Sequence, residues 1–288
     1  MNELTHDQVL IVDTARAFAR DKLRPNAARW EEEGLDRGVL KQLAELGFAG
    51  IYVRDDVGGS GLSRHDAALI FEELSRGCVA TAAFLSIHNM CAWMIDAFGD
   101  EEQRRKVLPK LTAMETIASY CLTEPGSGSD AGALRTSAKP DGNAHYLMNG
   151  SKAFISGAGF SDLYIVMSRT GEAGPKGVSA LMVENGTKGL SFGKLENKMG
   201  WRAQPTAIVS FDNCRVPVEN RIGPEGEGFK YAMKGLDGGR LNIAACALGG
   251  AQDALDRALA YVQERKQFGK PIAEFQNTQF VLADMETD

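Results

Sequence analysis

Along the chain the spacing of apolar positions changes twice. From residue 1 to about 116 it is helical: Val12, Ala15, Ala19 and Leu23 recur at three- and four-residue steps until Pro25 ends the run. Val39, Leu40, Leu43 and Ala44 form a second stripe, followed by Gly47 in the place of a helix C-cap. Gly58-Gly59-Ser60-Gly61 reads as a loop, and Ser63 as the N-cap of a helix through Leu69, Phe71 and Leu74. The small-residue, apolar stretch from Val79 to Phe98 predicts a buried helix closed by Gly99, and Glu101 to Met114 predicts another.

After Ile117 the period shortens to that of strands. Asn149-Gly150 between His145–Met148 and Lys152–Ile155 predicts a β-hairpin. Leu163–Met167, Val178–Val183 and Ala207–Phe211 predict further short strands between Gly, Asn and Pro turns. From Gly228 the helical period returns in Leu248, Leu255, Leu259 and Val262, and Phe275 to Met285 begins one more helix. The expected fold is therefore α+β in three parts. These are a helical domain over 1–116, a β domain (barrel or sandwich) over 117–225, and the start of a helical bundle over 226–288.

Composition narrows the function classes. With 288 residues, 44% apolar and 24% charged, the chain has the make-up of a soluble globular protein with ample core. A net charge of −6 argues against a nucleic-acid backbone as partner. No apolar run approaches the length of a membrane helix, and the N-terminus lacks a secretory cleavage pattern, so the expected compartment is a reducing cytoplasm. The five scattered cysteines form no C-x-x-C pair, and His6, His65, His88 and His145 share no ligand spacing; no metal site is expected.

The most informative stretch is Tyr120-Cys121-Leu122-Thr123-Glu124-Pro125-Gly126-Ser127-Gly128-Ser129-Asp130. An apolar strand runs into a turn of hydroxyls and glycines, which offers backbone N–H groups at close range to something flat or anionic. An ordinary surface loop has the same composition. Glu124 and Asp130, beside Pro and Gly, are read as ties from the turn to backbone donors rather than as paired catalytic carboxylates.

Five further motifs follow in order: Asn149 to Ser156, Lys198 to Trp201, Phe211 to Pro217, Gly235 to Arg240 and Arg265 to Gly269. Together with the turn they resemble the acyl-CoA dehydrogenase family along essentially the whole chain. The resemblance implies FAD as cofactor, with Tyr120, Cys121, Leu122, Thr123, Gly128, Ser129, Phe154, Ile155 and Ser156 around it. Many members have Trp where this chain has Phe154 and Thr where it has Ser156. On its own, Phe154 reads as a hairpin core residue; beside the turn it reads as the ring that packs on the flavin. Arg265, by itself a solvated helix end, would pair with the cofactor's pyrophosphate, and with Phe275 and Gln276 would reach the cofactor of a neighbouring subunit in a homotetramer. Ser129, Asp237, Gly238, Gly239 and Arg240 would line the acyl-CoA site. Close approach of a ligand and tight helix packing both explain the two glycines.

The implied reaction is α,β-dehydrogenation of an acyl-CoA, with electrons passed to an electron-transfer flavoprotein. Leu236–Arg240 and Gln279–Met285 look most like isobutyryl-CoA dehydrogenases, which act on short branched chains in valine breakdown; their mitochondrial members imply the matrix for a processed eukaryotic form. In most members the proton-abstracting Glu lies late in the helical bundle. The corresponding base is expected beyond Asp288, the bundle is expected to be incomplete with apolar helix faces exposed, and the catalytic residue is unknown. The isovaleryl-type enzymes carry the base at the position of Gly239, which has no side chain. Two other readings stand beside the dehydrogenase: an acyl-CoA oxidase, and a non-catalytic remnant that binds acyl-CoA or a partner.

Overall fold

The computed structural model describes residues 4–288. Helices α1 (His6–Phe18), α2 (Ala27–Glu33), α3 (Arg37–Glu45), α4 (Arg64–Ser75), α5 (Val79–Phe98) and α6 (Glu101–Thr112) build the first part. The stripe read from Val12 to Leu23 is buried throughout, α1 continuing as a wider turn over Ala19–Leu23 before the chain reaches Pro25. Ser63 caps α4 as expected: its hydroxyl accepts the Asp66 N–H, and the Asp66 carboxylate accepts from the Ser63 N–H. Helix α5 is buried nearly all round because it lies between the other helices and the sheet.

The middle part is a mixed sheet of β1 (Ala118–Cys121), β2 (Ser137–Asp141), β3 (His145–Ser156), β4 (Leu163–Arg169), β5 (Val178–Glu184), β6 (Leu190–Phe192), β7 (Thr206–Pro217) and β8 (Arg221–Ile222). Its order is β6-β7-β3-β2-β4-β5-β8, with β1 parallel to β4. Both faces are covered, so β4 and β5 are continuous apolar runs rather than alternating ones. Leu163, Ile165 and Met167 face the helices, packed with Met94, Ile95 and Tyr231. Tyr164 and Val166 face an inner core with Leu181, Val209 and Cys214.

The hairpin expected at Asn149-Gly150 is not there. β3 runs unbroken through both residues, and its register against β7 shifts between Met148 and Gly150, which makes a bulge. The side-chain amides of Asn149 and Asn213 meet across the strands, and the Asn149 oxygen accepts the Asn213 N–H at 2.9 Å. Gly150 is needed because a Cβ there would lie 2.7 Å from the Thr136 backbone, at φ +140°. The turn that does pair antiparallel neighbours is between β2 and β3, around Gly142.

From Gly228 to Glu264 a single helix, α7, crosses α4 and α5. A two-strand ladder (Lys266–Gln267 with Lys270–Pro271) then leads to α8 (Gln276–Thr287), which buries none of its side chains. Leu248 on α7, and Phe280 and Met285 on α8, stand exposed. No helix among the described residues is long and apolar enough to cross a membrane.

Candidate active site

A cleft of about 800 Å³ opens where the C-terminal end of β1 meets β3, α5 and α7. The strand period of two decides which residues of the Tyr120–Leu122 run reach it. Tyr120 and Leu122 line the cleft, whereas the Cys121 side chain points to the opposite face and is fully buried in the inner sheet core. Of the cofactor residues expected from sequence, Cys121 therefore offers its backbone at most. Burial pushes its thiol up to about 12, so it stays protonated and inert.

After Leu122 the chain turns sharply. Glu124 and Ser127 exchange backbone hydrogen bonds of 2.9 and 3.1 Å around Pro125-Gly126, and this presents Thr123, Gly128 and Ser129 to the cleft. Glu124 does tie the turn to backbone donors: its carboxylate accepts the Arg135 N–H at 2.6 Å and the Thr136 N–H at 2.8 Å. Burial alone would raise this carboxyl, but those bonds and Lys152 outweigh it and hold it below its usual value. Asp130 differs from expectation, because its backbone carbonyl, not its carboxylate, accepts the Ser127 hydroxyl at 2.6 Å.

The adjoining wall comes from β3. A second register shift, between Lys152 and Ile155, pushes out one residue. That residue is Phe154, in left-handed backbone at φ +58°, with 66% of its surface exposed. A non-glycine residue there costs about 1–2 kcal/mol, and an exposed aromatic gains nothing that offsets it within the chain. Phe154 is thus no hairpin core residue; it is held out into the cleft beside Ile155 and Ser156. The Ala153 N–H donates to the Thr123 carbonyl at 2.8 Å and joins the two walls.

The remaining walls are helical. Phe229, Met233, Leu236, Gly239 and Ile243 recur at three- to four-residue steps along one face of α7, with Arg240 beside Gly239, and α5 adds Ser86, Ile87 and Met90. Sequence reasoning missed most of these. The α7 stripe was legible in its spacing; α5, apolar on every side, carried no signal for which face meets the cleft.

The two glycines have different reasons. A Cβ on Gly238 would meet the Arg64 guanidinium at 2.2 Å, so Gly238 is there for packing; on Gly239 it would touch only the Met90 sulfur at 3.5 Å. Asp237 does not line the cleft; it is largely exposed and pairs with Arg240 at 3.5 Å. Nor do Arg265, Phe275 and Gln276. At about 1.5 Å per residue, Arg265 lies roughly 37 Å down α7 from Arg240. Phe275 packs edge-on against Phe268, which is 94% exposed.

The donor set suits a flat, partly polar cofactor. One wall carries an exposed aromatic ring, others are aliphatic, and Thr123, Ser129 and Ser156 bring hydroxyls. Tyr120 lines the cleft, but its hydroxyl is buried behind the wall with no hydrogen-bond partner among the described residues, and burial raises its pKa, so it stays protonated. Arg240 is the one charged side chain lining the cleft among the described residues, and no carboxylate does.

These features, the helix–sheet–helix order and the cleft at its junction define an acyl-CoA dehydrogenase architecture. Sequence profiles for the acyl-CoA dehydrogenase N-terminal, middle and C-terminal domains match residues 5–115, 119–214 and 226–288. The chain belongs to the acyl-CoA dehydrogenase family, enzymes that oxidise acyl-CoA. It is 59% identical over 286 residues to the mitochondrial isobutyryl-CoA dehydrogenase of Dictyostelium discoideum, covering 99% of this chain and 68% of that one. Butyryl-CoA dehydrogenase from Megasphaera elsdenii superposes with a TM-score of 0.95 at 38% identity, over 100% of this chain and 76% of that one. A glutaryl-CoA dehydrogenase from Mycobacterium smegmatis, solved with FADH2, gives 0.92 at 31% identity, over 99% and 72%.

Proposed function

We propose that this chain supplies the flavin and acyl-thioester walls of an FAD-dependent dehydrogenase for a short, branched acyl-CoA, isobutyryl-CoA foremost. The observation that carries this is Phe154, held at φ +58° and exposed into the cleft that Thr123 also lines. FAD, when bound, accepts the electrons removed from the acyl chain. Phe154 packs on the face of its ring system, Thr123 and Ser156 hydrogen-bond its polar edge, and Tyr120 adds to the wall beside them. Leu122, Met233 and Leu236 exclude water, and Ser129 faces the CoA portion. Gly239 leaves room for the thioester beside Arg240. Arg265, Phe275 and Gln276 reach the cofactor of a neighbouring copy in a homotetramer, a reading supported by their distance from this chain's own cleft. Electrons leave to an electron-transfer flavoprotein. Support for the branched substrate is the 59% identity to an isobutyryl-CoA dehydrogenase.

A second reading, binding of acyl-CoA without turnover, is favoured by one observation: no carboxylate lines the cleft among the described residues. Anaerobic titration of the FAD-loaded protein with isobutyryl-CoA separates the two. Bleaching of the flavin band, stronger than with butyryl-CoA, supports the dehydrogenase; calorimetric binding without bleaching supports the second reading. Failure to bind FAD overturns the first.

A further inference from the structure

Two charged residues close to the cleft never touch it. Lys152, fully buried, donates from Nζ to the Leu122 carbonyl at 3.0 Å and to Glu124 Oε1 at 2.8 Å. Glu124, also buried, passes the constraint on to the Arg135 and Thr136 N–H groups. The end of β1, the turn after it, the start of β2 and the bulge of β3 therefore meet on one ion pair. Lys152 stands two residues before Phe154, and the intervening Ala153 N–H holds the Thr123 carbonyl.

A buried pair of this kind is a poor device for stability, because apolar side chains of similar volume often replace such pairs without loss. Burial also pulls the Lys152 pKa down, with Glu124 opposing it only in part. What the pair does provide is direction: each hydrogen bond has one geometry, and the strained backbone of Phe154 persists only where its surroundings over-determine it.

We propose that the Lys152–Glu124 ion pair is a positioning device, which locks the Phe154 bulge to the Thr123 turn and so sets the spacing of the two walls that hold the flavin. The inference deepens the flavin reading above and rests on it. Neither residue is catalytic; both act through Phe154 and Thr123.

The test is Lys152→Met in the full chain, which leaves Glu124 its two backbone donors. Two readouts are taken: the FAD dissociation constant, and hydrogen exchange of the Ala153 amide in flavin-free protein. The expected result is FAD binding weaker by about tenfold and Ala153 exchange faster by about tenfold, with α1 and α3 amides unchanged. Unchanged Ala153 exchange together with unchanged FAD affinity, alongside a lower unfolding temperature, overturns the proposal and leaves the pair a purely structural one. Should Lys152→Met fail to fold, Glu124→Gln, which keeps the shape, carries both readouts with the same criteria. If the parent chain itself binds no FAD, the flavin reading fails, while Ala153 exchange still decides whether the pair positions the bulge.

Discussion

His88 makes the junction beneath the cleft sensitive to acid. It is fully buried on α5; Nε2 lies 3.1 Å from the Leu111 carbonyl, and Nδ1 lies 3.1 Å from the Ala118 N–H. A backbone N–H can only donate and a carbonyl can only accept, so the ring is neutral with its proton on Nε2. Protonating Nδ1 would break the bond to β1, and burial lowers the pKa from 6.5 to about 4. The unfolded chain therefore binds a proton that the folded one refuses. This stabilisation is fully present above pH 6.5 and is lost as pH falls toward 4. At about 1.36 kcal/mol per pH unit the gap amounts to ~3 kcal/mol, of which about 2.5 has gone by pH 4.5. Urea unfolding of the parent and of His88→Gln from about pH 7.5 to 4.5 isolates this contribution, since other groups titrate in both. The parent should lose about 2.5 kcal/mol more than the variant across that range. Parallel curves would refute the reasoning.

Phe154→Gly should relieve the left-handed strain and stabilise the flavin-free chain by ~1 kcal/mol, while weakening FAD binding about three- to tenfold; chemical denaturation and flavin fluorescence check the two halves. Gly238→Ala should destabilise by ~1–3 kcal/mol through the clash with Arg64, whose guanidinium is stacked on Tyr52 and Trp93, whereas Gly239→Ala should be tolerated. A double-mutant cycle with Arg64→Ala should show most of the Gly238→Ala cost disappearing, and strict additivity would argue against the clash. Arg104→Met should cost ~1–3 kcal/mol, because Asp96, 6% exposed, would lose a charged partner at 2.8 Å while keeping Arg54 Nε at 3.0 Å; thermal unfolding measures it.

Much of the molecule was legible before folding was considered. The order of helical, strand and helical segments follows from local period, and Ser63 and Gly99 mark helix ends through chemistry that acts within one turn. The hydroxyl-rich turn after Leu122 and the Gly235–Arg240 motif are likewise local patterns, and with the other motifs they carried the family resemblance. What tertiary structure decided were relations across long separations. Asn149-Gly150 has the letters of a hairpin, yet pairing with Asn213 and contact with Thr136 made it a bulge. Cys121 sits between two residues that line the cleft, but the strand's alternation sends its side chain into the inner sheet core. Glu124 was legible as a tie within its turn, but its pairing with Lys152, 28 residues further along the chain, exists only once the strands have come together. Local hydrogen bonding and side-chain period fix which element forms. Which face meets which, and which strained residue is held in place, depends on contacts that exist only once the elements have packed.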